Sequence, residues 1–121
     1  MLEQEGYDLM GAAFEVYNVL GYGMAEEIYQ QSLEIELRLR TIPFQSKAEL
    51  GVTYKDQKLT TVYRPDLLVF EEIVAELKAV KAIAAEHEAQ LFNYMRISNK
   101  KVGYLINFGA SEELEWKRFV L

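Results

Sequence analysis

Cysteine is absent from the chain, and histidine occurs once, at His87. The first absence excludes disulfides and thiolate metal sites, and makes a cytoplasmic location the default expectation. The second excludes a His-rich zinc site, so any metal would be held by oxygens, which favours magnesium or manganese. No apolar run is long enough to span a bilayer, so no membrane partner is expected, and no basic-then-apolar signal segment stands at Met1. There is no Ser-His-Asp or Cys-His set, no P-loop and no Rossmann glycine fingerprint, and Gly103 and Gly109 are too sparse for a phosphate cradle. Repeats, linkers and low-complexity segments are missing too. With 50% hydrophobic content, residues 1–121 are expected to form one domain around one core.

Basic charge is also scarce. The net charge is −6, and residues 1–40 carry all of it: eight acids there face only Arg38 and Arg40, whereas the rest of the chain is balanced. An acidic total argues against strong non-specific binding of nucleic acid, which relies on Lys and Arg at phosphates. It leaves room for a local basic surface, such as Arg96, Lys100 and Lys101 near a helix end.

What is present divides into helical and extended stretches. Met10, Ala13, Phe14, Tyr17 and Leu20 recur at helical spacing and predict a first helix over 4–20, ended by Gly21-Tyr22-Gly23. A second helix is expected from about Met24 to Arg40, with Arg38 and Arg40 suiting the macrodipole and Pro43 breaking the run. From Phe44 the period changes to two: a strand over 44–54, a turn over 55–58, and a strand over 59–63. A third helix is expected over 82–98, a buried strand over 102–108 and a short strand over 117–121. The order implies helices packed on a mixed sheet, an α/β or α+β fold.

The chain is organised around residues 63–80. Two apolar runs flank Glu71-Glu72, so this stretch is expected to be two short strands joined by a tight turn. Alternation puts Glu76 and Lys78 on one face and Leu77 on the other. A fold about residue 71 sets Asp66 across from Glu76, on its face. Two carboxylates and an ammonium then gather among Leu, Val, Ile and Ala, where charge is expensive to bury unless paired or bound to metal. Two explanations compete. One is a solvated hairpin edge with a surface ion pair from Lys78 to Glu76 or Asp66. The other is a divalent metal site with Asp66 and Glu76 as ligands and Lys78 beside the water they polarise.

The helices add candidates. On a helical wheel Ile28, Ser32, Ile35 and Leu39 lie together, and Ala25, Tyr29, Leu33 and Leu37 continue the arc. Glu26 falls within it, between Leu33 and Leu37, whereas Glu27 sits amid Gln30, Gln31, Glu34 and Arg38 on the polar side. Either Glu26 faces the protein, or it lies at the border and snorkels to water. Glu36 is also inside the arc but too far along the axis to join Glu26, and is expected to pair with a base or with backbone. On the third helix Ile83, His87, Gln90 and Tyr94 form one stripe. Gln90 and Tyr94 could bond a phosphate or orient a ligated carboxylate, or form a polar helix border with Tyr94 as partial core, and His87 is expected to be a surface or structural histidine.

Pro65-Asp66 followed by Glu76-Leu77-Lys78 resembles the motif of the PD-(D/E)XK nuclease superfamily, and Gln90-xxx-Tyr94 resembles the QxxxY motif of its RecB-like branch. Gly23-Met24-Ala25-Glu26-Glu27-Ile28-Tyr29 matches GxxExxY, which names a small prokaryotic family of that superfamily, and Gly103–Gly109 is similar to it as well. The resemblance implies a restriction-endonuclease-like core, a mixed sheet flanked by helices with the site at the central hairpin. It implies Asp66, Glu76, Lys78, Gln90 and Tyr94 as catalytic residues. It also implies Asp66, Glu76, the Leu77 carbonyl and Glu26 as ligands of Mg²⁺ or Mn²⁺. The implied activity is hydrolysis of DNA or RNA phosphodiesters. The competing expectation is an inactive nuclease-like module that binds nucleic acid or a protein partner, and a homodimer stays open.

Overall fold

In the computed structural model, which describes residues 1–121, α1 (Glu3–Leu20) and α2 (Glu26–Leu39) precede five of the strands that follow. These are β1 (Phe44–Ser46), β2 (Leu50–Tyr54), β3 (Gln57–Tyr63), β4 (Leu67–Val69) and β5 (Ile73–Lys78). Then come α3 (Ala85–Ser98), β6 (Val102–Asn107) and β7 (Glu115–Val120). The main sheet has the order β1-β4-β5-β6-β7, and β2-β3 forms a separate two-stranded sheet. Only β5 and β6 run parallel, and α3 supplies the long crossover that a parallel pair requires.

Strand alternation sorts the core into two layers. Leu67, Val69, Ile73, Ala75, Leu77, Tyr104 and Ile106 face α1 and α2, meeting Leu9, Ala13, Val16, Tyr29, Leu33 and Leu37. Leu68, Val74 and Leu105 face the other way, meeting Leu91 and Met95 of α3 with Val52 and Tyr63 of the small sheet. Helices on both faces explain why β4, β5 and β6 are nearly continuous apolar runs. This is the α+β architecture that the resemblance implies.

Four expectations need correction. The extended stretch 44–54 is two strands. Lys47 takes a left-handed φ of 52° between them, so β1 joins β4 while β2 joins β3. A period of two marks extended chain but does not say which partner it pairs with. Second, the β2–β3 turn is only Lys55-Asp56, both with positive φ as tight hairpins require. Third, α3 starts at Ala85 and β7 at Glu115, displaced from 82 and 117 because Glu115 accepts a bond from the Ile83 amide at 3.0 Å and holds 81–84 out of the helix.

The fourth correction concerns α2. Its buried residues are Tyr29, Gln30, Leu33 and Leu37, whereas Ile28, Ile35 and Leu39 are exposed. The helix is rotated toward Gln30, which is 4% exposed rather than on the polar side. The Gln30 amide finds two half-buried acceptors, the Glu34 carboxylate and the Asp66 carbonyl, and this offsets its burial.

Candidate active site

The central hairpin turns at Phe70-Glu71, both with positive φ, and pairs Leu67 with Ala75. Continued by one residue, this register sets Asp66 opposite Glu76. The two residues then lock each other: the Asp66 amide donates to Glu76 Oε1 at 2.9 Å, and the Leu77 amide donates to Asp66 Oδ2 at 2.8 Å. The Asp66 carbonyl is held from the other side by Gln30 Nε2 at 2.9 Å and the Lys47 amide at 3.2 Å. Gln30 also donates to Glu34 at 2.7 Å, and Ser46 donates to the same carboxylate at 2.8 Å. Asp66 is thus fixed by α2, by the β1–β2 bend and by β5.

The charges of the two carboxylates are only partly compensated. Burial pushes the Asp66 carboxyl above its ordinary range, against the Leu77 amide, Lys47 and Lys78, which lower it. Burial, and then the charge of Asp66, push Glu76 up to about 7. The buried Tyr63 hydroxyl faces Glu76 without reaching hydrogen-bond geometry, and burial followed by the Glu76 charge raises its pKa. No ion pair involves Asp66, Glu76 or Lys78, so neither hairpin-edge pair with Lys78 forms; the one ion pair at the cleft joins Arg64 to Glu49 at 2.9 Å. Two half-buried carboxylates with lysines near them but no salt bridge suit a divalent cation.

Glu76 and Lys78 open into a cleft of about 240 Å³, walled by Tyr63 of β3, by Arg64 just after it, and by His87, Gln90 and Tyr94 from α3. The Tyr94 ring stacks on Tyr63 with centroids 4.4 Å apart. His87 Nδ1 accepts a bond from the Ala84 amide at 3.1 Å, which leaves the Nε2 edge free. Lys78 ends its strand at a fixed place because its carbonyl accepts the Phe108 amide at 2.7 Å. Asn107 Oδ1 accepts the Val80 and Gly109 amides at 2.9 and 3.0 Å. Gly109 permits this clamp: a Cβ there would come within 2.2 Å of the Val80 carbonyl oxygen.

The stretch Gly23–Tyr29 sets the start of α2. Tyr29 is fully buried, stacked on Phe108 at 4.7 Å. Its hydroxyl donates to the Gly21 carbonyl at 2.6 Å and accepts the Met24 amide at 3.2 Å. Gly23, with φ of 98°, allows the bend that the hydroxyl latches. Glu26 follows as the first residue of α2. As a residue it is exposed, yet its carboxyl is partly desolvated, and burial first and Asp66 second raise its pKa. Glu27 is exposed and lies 3.9 Å from Lys47. Glu26 does not join Asp66 and Glu76 in a ready-made cluster, since no three acidic or histidine side chains converge.

Glu36 pairs with Arg40 at 2.7 Å, away from the site. Lys100 donates to the carbonyl of Glu71 at 3.2 Å, which places that basic group at the opposite end of β5 from the cleft. Sequence reasoning missed Gln30, Tyr63 and Arg64, and read His87 as a surface or structural histidine only. A signal for Gln30 existed, one turn after Glu26, but it was outweighed by the apolar Ile28 stripe.

A paired-carboxylate hairpin followed by a lysine, on a mixed sheet covered by helices, defines a nuclease-like α+β protein. The family model of the PD-(D/E)XK nuclease superfamily matches residues 3–119, and the chain belongs to that superfamily. Among solved structures it is similar to the crystal structure of SSO0001, with a TM-score of 0.58 and 19% identity over 98% of this chain. That likeness concerns the fold alone, and the chain spans 59% of the length of that structure. No protein of curated function matches the sequence. No helix is long and apolar enough to cross a membrane.

Proposed function

We propose that residues 1–121 act as one metal-dependent phosphodiesterase domain that hydrolyses DNA or RNA. Within the superfamily we assign it to the GxxExxY family and the RecB-like branch, on the strength of Gly23, Glu26, Tyr29, Gln90 and Tyr94. The observation that carries the reading is the mutual backbone lock of Asp66 and Glu76, two half-buried carboxylates outside any ion pair, with Glu76 and Lys78 lining one cleft.

Asp66 and Glu76 would hold Mg²⁺ or Mn²⁺. The Leu77 carbonyl would join them, since in an extended strand it points to the same side as the amide that bonds Asp66. Such an ion, when bound, lowers the pKa of water and screens phosphate charge. The protein's own part is positioning. Lys78 donates from Nζ to the attacking water and to the phosphate oxygen that gains charge. Gln90, Tyr94 and the free Nε2 edge of His87 hold the phosphate against the Tyr63–Tyr94 wall, and Arg64 joins them only by leaving its ion pair with Glu49 at 2.9 Å. Glu26 would act from its distance on Asp66 and on water.

A second reading has an observation of its own: the site lacks a third converging carboxylate, and the cleft is small. It makes the chain a non-catalytic module that binds nucleic acid or a protein. Incubation with labelled DNA and RNA in Mg²⁺ separates the two. Metal-dependent cleavage supports the first reading, and binding without cleavage supports the second.

A further inference from the structure

A group of aromatic side chains, Tyr7, Phe14 and Trp116 exposed and Tyr104 buried, lies on the other face of the sheet. Tyr104 and Trp116 stack at 6.0 Å, and Arg118 pairs with Tyr104 across β6 and β7, so all three share the face covered by α1. With Tyr7, Phe14 and Arg40 they line a groove of about 540 Å³, within the usual size of a small-molecule site. Tyr7 is 76% exposed and Trp116 is 40% exposed, although both are large rings.

Glycine makes the room. Gly6 and Gly11 lie inside α1, where each costs roughly 1 kcal/mol of helix propensity relative to alanine. A Cβ on Gly6 would overlap the Tyr104 hydroxyl, and one on Gly11 would press on Arg40 Nη1 at 3.2 Å. The helix therefore leaves space for the Tyr104–Trp116 stack and for a guanidinium. Arg118 makes one hydrogen bond, from Nη2 to the Met1 carbonyl, its buried Nε has no acceptor, and the Glu3 carboxylate lines the same groove within the field of the guanidinium. Flat aromatic faces beside an under-bonded guanidinium match a planar base carrying an anionic group.

We infer that this groove binds a nucleotide, its base stacked between Tyr7 and Trp116 and its phosphate on Arg118. This site is separate from the cleft of Glu76 and Lys78 and stands whether or not that cleft is catalytic. The nucleotide is either free or the unpaired end of a strand, since both present the same base and phosphate.

Trp116 is the only tryptophan, so its fluorescence reports this groove alone. Excited at the red edge, where bases do not absorb, it is expected to be quenched by adenosine monophosphate with a Kd of roughly 10 µM to 1 mM, as for one ring stack and one charge-assisted contact. Adenosine and inorganic phosphate, each offering half of the ligand, bind more weakly. Arg118→Gln loses roughly tenfold in affinity, as does Tyr7→Ala, whose exposed ring can be removed without disturbing the core. Lys78→Met binds as the wild type does. A short single-stranded oligonucleotide that quenches at lower concentration than the monophosphate identifies the strand end as the ligand, and the reverse order identifies the free nucleotide. No saturable quench, a quench unchanged by both groove variants, or a quench that follows protein concentration alone would overturn the inference. The last result would show a second copy of the chain in the groove.

Discussion

Gln30 Nε2 donates to the Asp66 carbonyl at 2.9 Å, and this one bond ties the first half of α2 to the residue just before β4. A glutamine that is 4% exposed sets the position of a carboxylate although it touches neither the cleft nor Glu76. Replacing it by Met keeps the length and removes the donor. The expected loss is about 1 kcal/mol of stability, the usual net worth of such a bond, or somewhat more because the Glu34 carboxylate also loses a donor. Mn²⁺ affinity, followed by calorimetry, falls in parallel. Unchanged affinity would mean that Asp66 is held by β5 and Lys47 alone.

Glu76 gives a pH dependence of unusual sign. Its pKa rises from 4.5 to about 7 on folding, so between these values the folded protein holds more protons than the unfolded chain. Without metal, stability is therefore greatest toward the acid side of this window and falls as pH rises through it. The contribution of this group is of order 3 kcal/mol, from about 1.4 kcal/mol per pKa unit. Glu76→Gln removes the titration, so the metal-free variant is more stable than the wild type at about pH 8 and loses that advantage at about pH 5. Chemical denaturation in a chelator at the two pH values checks this. A variant equally destabilised at both would show that the carboxylate charge is not a burden.

Glu26 and Glu27 are adjacent but differ in surroundings. Burial and Asp66 act on the first, whereas the second lies by Lys47. Glu26→Gln is expected to lower metal affinity or activity with little change in metal-free stability, and Glu27→Gln to leave both intact. Alike behaviour of the two in metal titration and cleavage removes Glu26 from the site, leaving it a helix-end charge worth about 0.3–1 kcal/mol.

Tyr29 is a test of the α2 latch. Tyr29→Phe keeps the stack on Phe108 and deletes the bonds to Gly21 and Met24. A loss of about 1–2 kcal/mol is expected, with faster hydrogen exchange at the Met24 amide. Exchange unaltered there would place the cause of the bend in Gly23 alone.

These residues also show what a single sequence discloses. The Asp66–Glu76 pairing was legible because a hairpin about residue 71 has one register and strand alternation fixes the faces. The order of helices and strands was legible from period. The split at Lys47 was not, because a left-handed φ at a lysine leaves no compositional mark. Nor was the inward turn of Gln30: Ile28, Ile35 and Leu39 made a stronger apolar stripe than the one the fold buries. The role of His87 depends on the Ala84 amide and on β3 across the cleft, contacts that no spacing along the chain contains.

The most direct test is cleavage by the wild type and by Lys78→Met. Labelled single- and double-stranded DNA and RNA are incubated with Mg²⁺ or Mn²⁺, and Mn²⁺ binding is measured by calorimetry on the same samples. Wild type is expected to cut at least one of these substrates only when metal is present. Lys78→Met is expected to bind Mn²⁺ nearly as well and to cut none. Full cleavage by the variant, or metal binding by the wild type with no cleavage of any substrate, would contradict the assignment of a catalytic phosphodiesterase.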